Sequence, residues 1–251
     1  EARFYENGEL TDDWASSSAG YVPAMKRNMA GIEDVTRVGS QYYPEQIVKY
    51  NELLYRETGI GYAEANFFNF FDFKLLKGDK NTCLEGPNKV VITERIARKY
   101  FKGENPMGKI LIFRSNIGEE ACEVSGIMED MPVNSHTRYS MLISYKTLPE
   151  WMDEYWYRHE VYSYVLLKSA NLKKQVEDAF PEMAEKYKTD EALKNKTWAV
   201  QLVNLRDIHL NRQKSYEPEI KGNSSSLLVL ICTALAILCI AWINYINMTV
   251  A

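Results

Sequence analysis

Histidine and cysteine are scarce in this chain, and neither is spaced for chemistry. The three histidines, His136, His159 and His209, fall into no HExxH or other ligand spacing, and the four cysteines form no CxxC pair, so no zinc site is read. There is no GxSxG elbow. Ser135 with His136 and Asp207 with His209 supply parts for a Ser/His/Asp set, but without that elbow they read as hydrogen-bonded turn residues. The neighbouring carboxylates Asp153 and Glu154 point apart on most backbones. No catalytic, cofactor-binding or metal-binding residue is therefore assigned, and no cofactor is expected. Cys232 and Cys239 stand seven apart in an apolar stretch and serve as small apolar residues. For Cys83 and Cys122, only their number allows a disulfide. A basic tract is also missing: Lys+Arg total 30 against Asp+Glu 34, a net charge of −4, which argues against a nucleic-acid partner.

One phosphate-loop pattern is present and fails on inspection. Gly103 to Lys109 (GENPMGK) satisfies G-x-x-x-x-G-K, but Ile110 stands where Ser or Thr would hold Mg²⁺. The reading also ends a helix and opens a strand, so no helix N-terminus faces a phosphate.

Charge is absent altogether from Gly222 to Ala251, and Leu227 to Ile243 is interrupted only by Thr233. A helix from Leu227 to Ala251 would be about 37 Å long at ~1.5 Å per residue, enough to cross a hydrocarbon core of about 30 Å. An interfacial helix would need a charged face, and a buried core helix is rarely so long, so this run is read as a membrane span. Its C-terminal position excludes a signal peptide. Trp242 and Tyr245 suit the membrane interface, while Asn244 and Asn247 suit a neighbouring helix. The chain starts at Glu1 and stops inside the apolar run, so it is expected to be a segment of a longer protein.

Ahead of the span the pattern is mixed. Tyr21 to Met29 reads as a short amphipathic helix, Val35 to Val38 as a strand, and Asn51 to Ala63 as extended chain around a turn at Gly59 and Gly61. The phenylalanines from Phe67 to Phe73 suit either a pocket for an apolar ligand or a short buried helix. Residues 79–89 are polar, with Gly86 and Pro87, and mark a subdomain boundary. Val90 to Ile92 is a strand, and Thr93 caps a helix with Ile96, Ala97, Tyr100 and Phe101 on its apolar face; Gly103 stops it. Strands are predicted at 109–113, 122–128, 139–144, 161–168 and 198–205. A turn covers 130–137. Residues 148–160, aromatic and acidic, read either as a recognition surface or as a loop capping the core. Asn171 is predicted to cap a helix carrying Val176, Phe180, Met183 and Tyr187, with Pro181 kinking it, inside a βαβ-like unit.

Two segments, VVITERIARKYFKGENPMGK (90–109) and EVSGIMEDMPVNSH (123–136), together resemble the MacB-like periplasmic core domain of FtsX-like ABC-transporter permeases. That family shows LTE-x-x-A-x-x-x-F-G, NP-x-G-K, V-x-G-V and D-x-P-x-N-S-H in this order. FFNFFDFKLLKGD (67–79), SYVLLK (163–168), LRDIHL (205–210) and the closing INYINMTVA look similar to further landmarks, so the resemblance runs from about Ala19 onward. Lys102 departs from it, standing where the family has Gly.

The resemblance implies an α+β fold of two subdomains: porter-like βαβ units from 1–80 and 161–222, an inserted Sabre-like α/β subdomain at 81–160, and a transmembrane helix at 223–251 that begins the second span. It implies an inner-membrane permease with residues 1–222 in the periplasm, no enzyme activity in this domain, and a homodimer. The partners it implies are a cytoplasmic ABC ATPase subunit, a second permease copy, a periplasmic adaptor or outer-membrane partner, and membrane lipid. The expected role is mechanotransmission of ATP-driven change to export or release a substrate, or to signal to an envelope partner. The competing reading is an extracytoplasmic ligand-binding module of a membrane receptor; a tethered hydrolase lacks a nucleophile constellation.

The decoy loop yields a direct test. Calorimetry of this chain with Mg-ATP is expected to show no saturable binding. Micromolar binding lost on Lys109→Ala would overturn the reading of residues 103–109.

Overall fold

A two-residue turn at Asn7 and Gly8 (φ 52° and 85°) opens the fold and joins β1 (Ala2–Glu6) to β2 (Glu9–Trp14). Asn-Gly accepts positive φ at both positions, which matches the twist of a tight hairpin. A computed structural model describes residues 1–39, 45–115, 118–153, 155–156, 158–188, 191, 193–208, 214–217 and 224–250, the backbone alone at 224–227 and 250. After the hairpin come α1 (Tyr21–Asn28), β3 (Ile32–Gly39), β4 (Glu45–Tyr50), β5 (Leu53–Thr58), β6 (Ile60–Ala63) and α2 (Phe67–Phe70). The chain continues through β7 (Leu75–Lys77), β8 (Lys89–Thr93), α3 (Glu94–Phe101), β9 (Ile110–Ser115), β10 (Gly118–Met128) and β11 (Met141–Ser144). It closes with β12 (Tyr162–Leu167), α4 (Lys173–Glu185), β13 (Thr197–Val200) and α5 (Ser224–Val250). The class is α+β, as expected.

The strands form two sheets. A three-stranded sheet has the order β13-β1-β2, all antiparallel. A ten-stranded sheet runs β12-β3-β6-β11-β8-β10-β9-β4-β5, with β7 pairing β10 off that path. Within it β11–β6 and β10–β8 are parallel and the remaining pairs antiparallel. The turn between β7 and the residues that follow depends on Gly78: its φ is +99°, and a Cβ there would lie 2.6 Å from the Ser125 carbonyl oxygen, so no side chain fits.

Alternation along the central strands explains why they are apolar at every position. In β8, Val90 and Ile92 join a cluster with α3 residues Ile96, Tyr100 and Phe101, while Val91 faces the opposite cluster with Phe67, Phe68, Cys83 and Leu84. Met141 and Ile143 of β11 likewise face α3, and Leu142 faces away. A strand buried on both faces reads as a continuous hydrophobic run. The Thr93 side chain accepts from Ile96 N at 3.4 Å, the cap read from sequence, and Lys102 takes the left-handed conformation (φ 48°) ahead of Gly103. From α3, Lys99 Nζ (2.6 Å) and the Tyr100 hydroxyl (2.8 Å) both donate to Glu57 of β5, a buried carboxylate they keep satisfied.

A third cluster packs α1 and α4 against the small sheet. Phe4, Tyr21, Met25, Val176, Phe180 and Trp198 are buried in it, so residues from both ends of the soluble part share one core. Trp198 is fully buried and its indole N–H donates to Leu193 O at 2.8 Å. Removing such a side chain costs about 3–5 kcal/mol.

Several readings shift. Residues 170–172 form a 3-10 turn and Leu172, not Asn171, occupies the α4 N-cap, with no side-chain cap bond; Pro181 lies within the helix. The strand, helix and strand from 161 to 205 are present, but β12 pairs β3 of the large sheet whereas β13 pairs β1 of the small one. Phe67 and Phe68 are core. Residues 148–160 bury Leu148, Met152, Tyr155, Trp156 and His159 as a cap, leaving Trp151 exposed. Cys83 and Cys122 are free thiols, pushed up by burial to about 11 and about 12.

Helix α5 has 27 residues, about 40 Å at ~1.5 Å each, and its stretch Leu228–Thr249 has mean hydropathy 2.3 with none of it buried against the rest of the chain. Thr233 and Thr249 return their hydroxyls to the carbonyls of Val229 and Tyr245, at 2.8 and 2.5 Å, so neither presents an unpaired donor to hydrocarbon. An apolar surface of this extent needs a cover, and by length and composition the helix is a candidate membrane span. A chain truncated after Glu217 is expected to be monodisperse without detergent while the full chain requires it. Aggregation of the truncated form, with the full chain soluble in plain buffer, would contradict this.

Candidate functional site

The last described residues before the span, 214–217, are built into the fold. Lys214, almost fully buried, donates through Nζ to Glu1 Oε2 (2.5 Å) and Gln201 Oε1 (2.8 Å) and pairs with Asp13 Oδ1 (2.9 Å). Arg3 reaches the same Asp13 at 3.4 Å. Burial opposes the charge on Asp13, but its hydrogen bonds with Lys214 and Arg3 outweigh that and hold its carboxyl below the ordinary value. Ser215 adds a parallel bridge to Trp14: Ala15 N donates to Ser215 O at 2.9 Å and Ser215 N to Asp13 O at 3.3 Å. Tyr216, at φ 61°, accepts from the Tyr162 hydroxyl on its carbonyl (3.0 Å) and sets its ring at right angles to Trp14, centroids 5.6 Å apart. Strands β2 and β12, with Glu1 just before β1 and Gln201 just after β13, thus hold one short segment.

Behind the clamp stands a column of aromatic rings. Trp14 meets Phe4 at 4.7 Å and His159 at 5.1 Å; Tyr21 stands beside Trp156 and Phe180 at 4.9 Å each. His159 pairs through Nε2 with the Tyr21 hydroxyl at 2.9 Å, and burial lowers its pKa to about 3, so the imidazole is neutral at physiological pH. Beside the clamp, a groove of about 510 Å³ runs along β12 and residues 201–208, with Phe70 and Phe71 at its wall.

A second polar knot fixes the capping loop. The Arg37 guanidinium, 5% exposed, donates to Ala19 O (2.7 Å), to Glu64 (Nε, 2.7 Å) and to Asp153 Oδ1 (2.9 Å), and it lies over the Tyr145 ring. Burial works against its charge, but Tyr145, Glu64 and Asp153 together raise its pKa. Lys146 completes the knot on Asp153 at 3.0 Å.

The sequence candidates scatter. His136 pairs with the Tyr164 hydroxyl at 2.8 Å, and Asp153 serves Arg37; His209 and Glu154 lie outside the described residues. Residues 103–109 follow α3 and precede β9, the reverse of a phosphate loop. Among the described residues no group of three or more His, Cys, Asp or Glu side chains gathers into a metal site. The clamp was not legible: Lys214 is one lysine in a polar stretch, and its partners lie far away in sequence. Only the Asn7-Gly8 hairpin signal could have placed Asp13 on a strand.

Comparison with known proteins identifies the architecture. The family model described as the MacB-like periplasmic core domain matches residues 3–183. The chain belongs to that family. Members are periplasmic domains of ABC-transporter permeases, and this one carries a candidate transmembrane helix at its C-terminal end. Among solved structures, a domain assigned to a permease of Porphyromonas gingivalis superposes with a TM-score of 0.68 at 22% identity, over 81% of this chain and 87% of that one. The extracellular domain of the noncanonic ABC-type transporter YknZ from Gram-positive bacteria gives 0.53 at 18%, over 81% and 100%. The periplasmic region of MacB from Actinobacillus actinomycetemcomitans gives 0.52 at 14%, over 82% and 89%. At these identities the likeness is one of fold. No curated protein matches in sequence.

The buried imidazole makes a pH prediction. A base whose pKa falls from 6.5 to about 3 on folding leaves the unfolded chain holding more protons between those values, so stability falls as pH drops through that window and levels off below it. His159→Gln, which keeps a partner for the Tyr21 hydroxyl, is expected to flatten the decline in unfolding midpoint between pH 6 and 4 relative to the parent. Equal slopes would contradict the assignment.

Proposed function

We propose that this domain transmits ATP-driven conformational change across the inner membrane, the energy coming from a cytoplasmic ABC ATPase that acts on the permease through its membrane helices. The observation that carries the reading is the clamp at Lys214, Ser215 and Tyr216: the chain ahead of the helix is bonded to Glu1 just before β1, to β2 and to β12 within about ten residues of the helix start. From Glu217 to Ser224 are seven residue steps, at most about 25 Å at ~3.6 Å each, so the clamp lies close in sequence to the start of the helix. A packed sheet moves as a body, because its core has few alternative arrangements.

In this reading the permease is a homodimer in the inner membrane with these domains in the periplasm. Rigid-body motion of the pair exports or releases a substrate, or signals to a periplasmic adaptor or outer-membrane partner. The division into a porter-like unit (1–80 with 161–222) and a Sabre-like unit (81–160) belongs to the same proposal; the core shared by Phe4, Tyr21, Phe180 and Trp198 supports a unit drawn from both ends of the soluble part.

The test uses the complete permease with its ATPase in lipid nanodiscs, spin-labelled at Leu54, an exposed position on the outer strand β5. Trapping the nucleotide-bound state is expected to change the distance between labels in the two copies. Lys214→Met, which leaves Asp13 and Glu1 without their buried cation at a cost of about 3–5 kcal/mol, should abolish that change while ATPase assembly persists; Lys214→Arg should restore it in part. A distance indifferent to nucleotide, or one that changes equally in Lys214→Met, would count against transmission through the clamp.

A further inference from the structure

Strand β12 ends the ten-stranded sheet, and on its outer edge Ser17 covers the start, donating through Oγ to Ser163 Oγ at 2.7 Å, while the backbone beyond is open among the described residues. Val161 and Ser17 exchange both backbone hydrogen bonds, Ser17 N to Val161 O at 2.8 Å and Val161 N to Ser17 O at 3.1 Å, so the backbone groups of Val161 point away from β3. Because direction alternates along an antiparallel strand, Tyr162 and Tyr164 turn toward β3 while Ser163 and Val165 turn outward. Neither Ser163 nor Val165 has a backbone partner on that side among the described residues. Buried or half-buried backbone groups are ordinarily paired.

Sheet edges are normally blunted by charge, by proline or by a covering element. The sequence of β12, YSYVLL, has neither a charge nor a proline, and Leu166 is 45% exposed. Residues 162–167 line the groove of about 510 Å³ together with residues 201–205, in no regular secondary structure, which contribute Leu202, Val203 and Leu205. Phe70 and Phe71 belong to the same lining.

We propose that this groove binds a single extended peptide segment of a partner protein, which pairs with the outer edge of β12 and places alternate apolar side chains against the Phe70/Phe71 wall and the Leu202/Leu205 wall. Two features select this occupant. An acyl chain fills apolar space but offers nothing to the N–H and C=O groups of Ser163 and Val165. A second copy of β12 would bring its own sheet and the residues packed on it to a groove of about 510 Å³, whereas a lone strand brings only its own backbone and side chains. Main-chain pairing then supplies affinity and the alternating walls supply selection. The inference goes beyond the transmission reading and stands or falls without it.

The experiment uses the full chain in lipid nanodiscs and an acetylated, amidated octapeptide of alternating valine and threonine with lysine at each end. In the free protein the amides of Ser163 and Val165 are expected to exchange with deuterium faster than those of Tyr164 and Leu166. Added peptide should slow Ser163 and Val165 by about tenfold or more, in step with occupancy. Val165→Pro, which removes an outward N–H at an edge position where proline is tolerated, should weaken binding by a similar factor. Because that variant perturbs the strand, two further peptides, N-methylated on odd or on even residues, provide the second measurement: one should bind as the parent does and the other should fail. No protection at millimolar peptide, or equal behaviour of the two methylated peptides, would overturn the proposal.

Discussion

The buried ammonium of Lys214 is the constraint around which the segment ahead of the candidate span is organised. A lysine removed from water needs full compensation, and here it is supplied by Glu1 and Asp13 carboxylates and the Gln201 amide, from three separate stretches of chain. Satisfying that one charge brings the first strand, the end of the hairpin and the segment after β13 to one place. The same convergence sets Trp14 against Phe4, Tyr216 and His159. Removal of the cation would leave the Glu1 carboxylate without its lysine and Asp13 with Arg3, so the segment would lose the one side chain that bonds all three stretches.

The two sheets divide the labour differently. In the large sheet, β8 and β11 are buried on both faces and carry cores on either side, with Glu57 tied to α3 through Lys99 and Tyr100. The small sheet is the one that meets the chain entering the span. Between them, β12 contributes to both: it pairs with β3 on one edge and, through Tyr162, holds Tyr216. The segment ahead of α5 is therefore tied to the last strand of the large sheet as well as to the hairpin of the small one.

What the sequence disclosed and what it concealed follow from range. The span, α1 and α3 were legible because their signals are local: an uncharged run, an apolar face at helical spacing, and a Thr cap three residues before the N–H it receives. The central strand Val90 to Ile92 was legible because burial on both faces leaves an unbroken apolar triplet. β2, with the sequence ELTDDW, was missed because its acidic side chains serve partners elsewhere: Asp12 takes Lys196 and Asp13 takes Arg3 and Lys214. Asn171 looked like a helix cap, yet a 3-10 turn displaces it and the helix starts beyond. The strand–helix–strand order after residue 161 was correct in sequence, but nothing local states that β12 and β13 join different sheets. Pairing is decided by distant residues such as Val38 and Phe4, which a single chain read from end to end does not reveal.

The central claim is that the chain entering the span is part of the folded domain, and the amide of Ser215 reports on it most directly. Its N–H donates to Asp13 O, two residues into a segment that would otherwise be loop. Hydrogen exchange measured in the complete permease should find Ser215 protected to the same degree as the paired amides of β1, opening only with the sheet itself. Exchange of Ser215 at the rate of an unstructured linker, with β1 still protected, would show that the helix end moves freely of the domain and would contradict the account.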